Sequence, residues 1–507
     1  MAHAARVRRR SWYALIELAF VAITALLGWA ALFPARRALG PWAYLTLSWP
    51  LGLLAWPVSA AVTSVLGLPM RLPWIAAGAL GFAVLASFGF ARAARYADGA
   101  GPAWWMWAAH LAAIAVLTIA VGKLRLFFST GDSWYGYQAL GILLHDTGII
   151  SKTLAQSRGL LLPSMHAANL AMGGDMLVAA YPVAAAHVVS AVAWAQWRFS
   201  FARMKPVARG LAAGGFAAAM VTGDLFVFHA LYVHSHMLTA CYLLLGVIAV
   251  VVAGTSGDAE ALPWLTAGGL ATAGLVLARP DGLTYAYIIA ALVLAAFFEA
   301  GARPRRLVAF FAPLLGMIAV THGAEFARLG MWQGDKLTGA TALAQFAGLA
   351  LLPALAAALA GIAPVAERLA RRGVTIRLAL GVLALGVLAA AVLRPDGLAQ
   401  AAGNMSTNLF SAGGWGLFWV WATGVVLLAL LFGGVRRRAA ASAELLGALG
   451  LFFAVALIVH GVSHPGRLGP ADSFNRIAFH VVPLVWLLAG SMFGSALHAA
   501  RKTTILE

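Results

Sequence analysis

The sequence predicts an all-α polytopic membrane protein with about 14 transmembrane helices and a short interfacial helix in its main external segment. Three observations carry this. Of the 507 residues, 62% are apolar and 10% charged, and the mean hydropathy is +0.87. Apolar runs of about 17–25 residues, the length that crosses a bilayer core as a helix, recur along the whole chain. Lys and Arg gather between these runs, which is how cytoplasmic loops are marked.

The N-terminal MAHAARVRRR precedes an apolar run at 12–34 that has no small-residue cleavage motif, so it reads as an uncleaved first helix. Further runs lie at 45–67 and 73–91. Three full spans here would put the basic N-terminus outside, against the charge rule, so one is expected not to span. The run at 45–67 is the candidate, because Pro50 and Pro57 remove backbone donors and suit a re-entrant hairpin. Residues 1–100 are expected to form an accessory set of membrane helices, and 101–500 the core.

Beyond residue 100, runs at 103–123, 172–196, 209–228, 236–254, 262–278, 282–299, 307–323, 341–361, 377–393, 413–433, 443–461 and 477–496 alternate with basic clusters. The clusters lie around Arg198–Arg209, Arg303–Arg306, Arg368–Arg377, Arg436–Arg438 and Arg501–Lys502. Setting them inside places Phe128–Met172, Gly223–Ser235, Arg279–Asp281, His322–Gly339, Arg394–Gly413 and His460–Asn475 on the outer face. The net charge of +18 is thereby a matter of topology, and nucleic acid is not an expected partner. Cys241 is the single cysteine, which excludes a disulfide framework and a cysteine metal site.

The longest polar stretch begins FFSTGDSWYGYQALGILLHDTG, from Phe128. Trp134, Tyr137, Leu140 and Leu144 recur at helical spacing, predicting an amphipathic helix in the membrane interface, where Trp134, Tyr135 and Tyr137 are suited to a half-wet depth. Asp132 stands at its head. It reads either as an ordinary N-cap or as a carboxylate whose burial raises its proton affinity and makes it a better general base. VTGDLFVFHALYVHSHM places Asp224, His229, His234 and His236 at another helix junction; His234 and His236, two apart, would fall on different faces of a helix, so no joint metal site is expected. ARPDGLTYA and ADSFNRIAFHVVPL place Arg279, Arg476 and His480 at helix ends, where an arginine either serves a site or snorkels to headgroups.

In that order and on one predicted face, these motifs resemble the GT-C-type integral membrane glycosyltransferases, which take sugars from polyprenyl-phosphate carriers. The matching features are Asp132 after an early membrane helix, Asp224 in the second external segment, the turn Arg279-Pro280-Asp281-Gly282, and Arg476 through Pro483 entering the last helix. Two departures are a single acid where many members have a pair, and N-terminal spans outside the shared core. The resemblance implies catalytic roles for Asp132, the general base of an inverting transfer, and Asp224. It implies Arg279 and Arg476 on the donor phosphate, and Tyr135, Tyr137, His229, His236 and His480 toward substrate. It also implies a site on the periplasmic, outer face of a bacterial inner membrane, among membrane lipids, with a glycan, lipid or protein as acceptor. Nothing in the sequence requires a cofactor; whether a divalent cation assists is left open by it. The competing function classes are a transporter or flippase of lipid-linked or small solutes, and a polysaccharide polymerase or ligase.

Overall fold

A computed structural model describes residues 2–94, 103–124, 127, 132–151, 159–329, 339–371, 373–433, 440–462 and 473–504, and for residues 2–10, 132, 135, 339–343, 432–433, 440–442, 460–462, 473 and 498–504 the backbone alone. Every regular element among these residues is a helix. Ten are long and apolar enough to cross a membrane, or up to 12 if each of two bent pairs is one span. The protein is therefore all-α and polytopic. The expected run at 172–196 gives only the 16-residue helix Ala180–Ala195, and two other runs give the shorter apolar helices Phe418–Leu431 and Ala443–Val459.

The chain divides into two compact units. Unit 1 comprises Met1–His187, Phe228–Tyr287 and Pro304–Ala358; unit 2 comprises Val188–Val227, Ile288–Arg303 and Leu359–Glu507. No boundary between units falls near residue 100, and the helices before it pack inside unit 1.

Unit 1 starts from an unusually close helix crossing. The helix Ala2–Leu32 meets the helix Pro41–Gly52 at Thr24, Gly28, Ser48 and Gly52. A Cβ on Gly28 would stand 1.7 Å from the Ser48 carbonyl oxygen, and one on Gly52 would stand 1.9 Å from that of Thr24. Small residues let membrane helices gain van der Waals contact where no hydrophobic driving force acts between them. Contact continues past the prolines: Trp56 donates Nε1–H to Thr24 Oγ1 at 3.1 Å, and its ring stacks on Phe20 at 5.3 Å. The run at 45–67 thus does not fold back. Pro41–Leu66 is one candidate span of 26 residues, antiparallel to the first helix. The proline break is tolerated because the amides of Leu53, Leu54 and Trp56 reach the carbonyls of Trp49, Leu51 and Leu53 at 3.1–3.2 Å.

The helix Trp104–Leu124 is also antiparallel to the first, with Gly122 against Ala14 and the ring of Trp107 4.8 Å from that of Trp29. The start of the first helix accordingly shares one end of unit 1 with the segment that follows Leu124. This departs from the expected opposition between the basic N-terminus and the main external segment. Orientation follows the summed charge of all short loops, and Arg36, Arg37, Arg92, Arg305 and Arg306 stand at the other end of this unit.

The crossing yields a direct test. Gly28→Ala and Gly52→Ala should each lower stability by about 1–3 kcal/mol, the usual cost of overpacking. Gly81→Ala, where an added Cβ meets nothing within 4 Å, should be neutral or stabilising in a thermal unfolding scan in detergent.

Candidate functional site

At the end of unit 1 toward which Trp104–Leu124 runs, the sequence makes a sharp turn around Arg279. Pro280 disfavours helical backbone at the residue before it, so the helix Asp258–Ala278 stops and Arg279 is extended, at φ −153° and ψ 150°. The turn closes with the Gly282 amide on the Arg279 carbonyl at 3.0 Å. It doubles back so tightly that a Cβ on Gly282 would lie 1.9 Å from the Leu275 carbonyl oxygen.

The extended residue aims its guanidinium into a polar cluster. Nε and Nη2 of Arg279 donate to Oδ1 and Oδ2 of Asp281 at 2.6 and 3.1 Å, a two-pronged fork. Nη1 reaches Ser235 Oγ at 3.5 Å and His236 Nδ1 at 3.2 Å. Burial opposes the charge on Arg279, but the Asp281 carboxylate and its hydrogen bonds outweigh this and raise the arginine's proton affinity above its ordinary value. The ion pair is neutral as a whole.

Because a guanidinium only donates, His236 Nδ1 accepts and the ring carries its proton on Nε2. His234 has the same tautomer, since its Nδ1 accepts the Ser235 amide at 2.9 Å. The two rings stack at 4.4 Å and 7°, and His229 lies 5.4 Å from His236. The expectation that His234 and His236 diverge is therefore corrected: His234 precedes the helix His236–Thr255, and the turn before it, not helical spacing, sets the ring directions. Among the described residues no group of three or more His, Cys, Asp or Glu is arranged to hold a metal ion.

The segment headed by Asp132 is fastened to this turn. Asp132–Gln138 is a π-helix, a local widening that is frequent at functional sites, and it continues as the helix Ala139–Thr147. Ser133 donates to the Val233 carbonyl at 2.8 Å, Tyr137 donates to Ser235 Oγ at 3.5 Å, and the Tyr137 ring meets His234 edge-on at 5.1 Å. The side chains of Asp132 and Tyr135 lie outside the described residues. The predicted interfacial stripe is corrected: Tyr137, Leu140 and Leu144 are buried at 3%, 8% and 0% exposure, leaving Trp134 exposed. Gly141 supplies the reason, since its lack of a side chain lets the helix Leu161–Ala171 approach through Pro163 and His166.

Unit 2 carries the other predicted residues. The helix Pro206–Val221 bends by 75° into Asp224–Leu231. At the bend, Asp224 lines a cavity of about 250 Å³ together with Trp415, Phe418, Phe479 and Trp486. Asn475 braces the segment that carries Trp415, donating Nδ2–H to the Gly413 carbonyl at 2.8 Å and accepting Trp415 Nε1–H. Arg476 is half-buried on the short helix Ser473–Ala478, and His480, next to Phe479, is fully buried.

The predicted residues therefore gather in two places. Tyr137, His229, His236 and Arg279 meet in unit 1 beside the helix of Asp132, while Asp224, with Phe479 between Arg476 and His480, belongs to unit 2. Sequence reasoning did not single out Ser133, Ser235, the Arg279–Asp281 fork or the aromatic wall at Trp415; the density of aromatics in GGWGLFWVW was the available signal for the last. No known protein family, curated protein or solved structure matches the chain.

The fork can be measured by a double-mutant cycle on Arg279→Met and Asp281→Asn. Asp281→Asn alone should cost about 1–3 kcal/mol, below the value for a fully dry pair because the Asp281 side chain is 37% exposed. A coupling energy under about 0.5 kcal/mol in detergent unfolding would show that the two side chains act independently.

Proposed function

We propose that the protein is a membrane glycosyltransferase that moves a sugar from a polyprenyl-phosphate carrier to a glycan, lipid or protein acceptor, with inversion, at the periplasmic face of a bacterial inner membrane. The observation that carries this reading is the fastened π-helix. Ser133 and Tyr137 bind the turn that Arg279 also binds, so the residue heading that helix has its backbone fixed beside a buried polar cluster.

In this reading Asp132 accepts the proton of an acceptor hydroxyl as that oxygen attacks the anomeric carbon. The bond from that carbon to the carrier phosphate breaks, and cationic side chains neutralise the leaving phosphate. Of the two proposed phosphate ligands, Arg279 would have to exchange its carboxylate for the phosphate, and with that carboxylate in place it orients His236 and Ser235. The cavity at Asp224 suits a single sugar ring, with aromatic walls and a carboxylate to accept hydroxyl protons. If the shorter apolar helices Phe418–Leu431 and Ala443–Val459 also cross the membrane, the 12 spans counted with both bent pairs become the 14 of this proposal.

One observation favours a transporter or flippase instead. His322 Nδ1 and Glu325 Oε2 are 2.5 Å apart, both side chains at 0% exposure within the candidate span Pro304–Leu329. Ionisable pairs buried within membrane helices serve proton relays in pumps.

The deciding experiment uses proteoliposomes supplied with labelled polyprenyl-phosphate sugars and a membrane extract as acceptor, reading acceptor-dependent release of polyprenyl phosphate. Asp132→Asn should reduce release by about 10²–10⁴ with expression and stability unchanged, the usual effect of removing a positioned base. Asp146→Asn, whose side chain is 54% exposed and bonded to His145, should leave release near wild type. Retention of more than about a third of the activity in Asp132→Asn would remove it as the base. Solute movement abolished by Glu325→Gln, with no sugar transfer, would establish the transporter.

A further inference from the structure

At the other end of unit 1 from the Arg279 turn, six aromatic rings from four helices form one buried cluster. Trp29 ends the first helix, Tyr44 and Trp49 belong to Pro41–Gly52, Trp107 and His110 open Trp104–Leu124, and His187 lies in Ala180–Ala195. Trp29 is 3% exposed, Trp49 0% and His187 2%. Five of the six rings nevertheless carry a nitrogen with no hydrogen-bond partner: Nε1 of Trp29, Trp49 and Trp107, and Nε2 of His110 and His187. Buried polar groups are satisfied in the great majority of cases, so five exceptions in one cluster point to something that meets them.

The ring geometry narrows what that is. Trp107 packs on Trp29 at 4.8 Å and on Tyr44 at 5.6 Å, and His187 packs on Trp49 at 5.5 Å and on His110 at 5.3 Å. Tyr44 stacks on Trp107 and Trp49 on His187, so these faces are occupied by other rings, which suits neither a cation cage nor a sugar stacked on a ring. Three indole N–H groups require an acceptor-rich ligand. His187 donates Nδ1–H to the Val183 carbonyl at 2.8 Å, which leaves Nε2 as an acceptor for a donor on the same ligand. The cluster contains no carboxylate, and Arg36 and Arg37 stand in the connection between its first two helices. The cluster reaches the protein surface at Trp107 and His110, which are half-buried on a helix only 22% buried overall.

We propose that this cluster binds a phosphate-bearing headgroup that also offers an N–H or O–H, of the phosphoethanolamine or phosphoglycerol class. The indoles donate to phosphate oxygens, His187 accepts from the headgroup donor, and the arginines supply the positive field. This site is separate from the Arg279 cluster and does not depend on the transferase reading.

The test is native mass spectrometry of the full-length protein, titrated with phosphatidylethanolamine and with phosphatidylglycerol after delipidation. A Trp29→Phe, Trp49→Phe, Trp107→Phe triple variant keeps the rings and removes the three donors. Wild type should hold at least one lipid, and the triple variant should bind it about tenfold or more weakly. A control triple, Trp12→Phe, Trp74→Phe and Trp104→Phe, removes indoles that are 60%, 46% and 81% exposed and should bind as wild type does. Trp49→Phe alone serves if the triple does not fold, and should show a smaller loss in the same direction. Stabilisation by inorganic phosphate that the triple variant abolishes, with no lipid retained, would uphold the phosphate chemistry and assign it to a soluble source. Equal lipid binding by wild type and folded variants, or no response to lipid or phosphate, would overturn the proposal.

Discussion

The structure of unit 1 depends on pairing guanidinium charge at both ends of one buried helix. Asp258–Ala278 carries an arginine–aspartate pair at each end: Arg306 with Asp258 at 2.7 Å, and Arg279 with Asp281 at 2.6 Å. A charge left unpaired at such depth is costly, and these pairs therefore fix where the helix begins and ends along its axis. Arg306 also binds the carbonyls of Ala253 and Ser256 at 2.6 and 3.1 Å, capping the end of His236–Thr255. At the opposite end Arg279 holds the start of that same helix through Ser235 and His236. Two neighbouring helices, both almost wholly buried within the protein, are thus clamped at both ends by side chains in addition to their packing.

Much of this was legible in the chain, and the limits of legibility have physical causes. The helical class and the turns at Arg279 and Asp132 follow from apolar run length and from Gly and Pro placement, which act locally. The span at 45–67 was misread because proline signals only a missing donor, whereas the replacement bonds to Trp49, Leu51 and Leu53 arise after the chain bends. The stripe from Trp134 to Leu144 was legible as an apolar face, but periodicity does not say what covers a face. Gly141 let a second helix approach, and three of the four residues turned inward. The histidine stack was hidden for a related reason, since helical spacing does not apply to residues in the turn before a helix.

The Arg279–Asp281 fork bears on the chemistry as well as on the fold. A free arginine at a membrane surface would attract any phosphate, including that of bulk lipid. Once forked to a carboxylate the pair has no net charge, and a phosphate gains little by approaching unless it can take over both prongs. The remaining Nη1 fixes His236 as acceptor at Nδ1, and the Ser235 amide does the same for His234, so both imidazoles present Nε2–H. The imidazoles of this cluster are thus oriented by bonds within the protein. In unit 2 the polar demand is reversed. Asp224 and the aromatic walls of its cavity offer an acceptor and apolar faces, the complement that a hydroxylated ring requires. The two clusters thus differ in what they ask of a ligand, donors in one and an acceptor in the other.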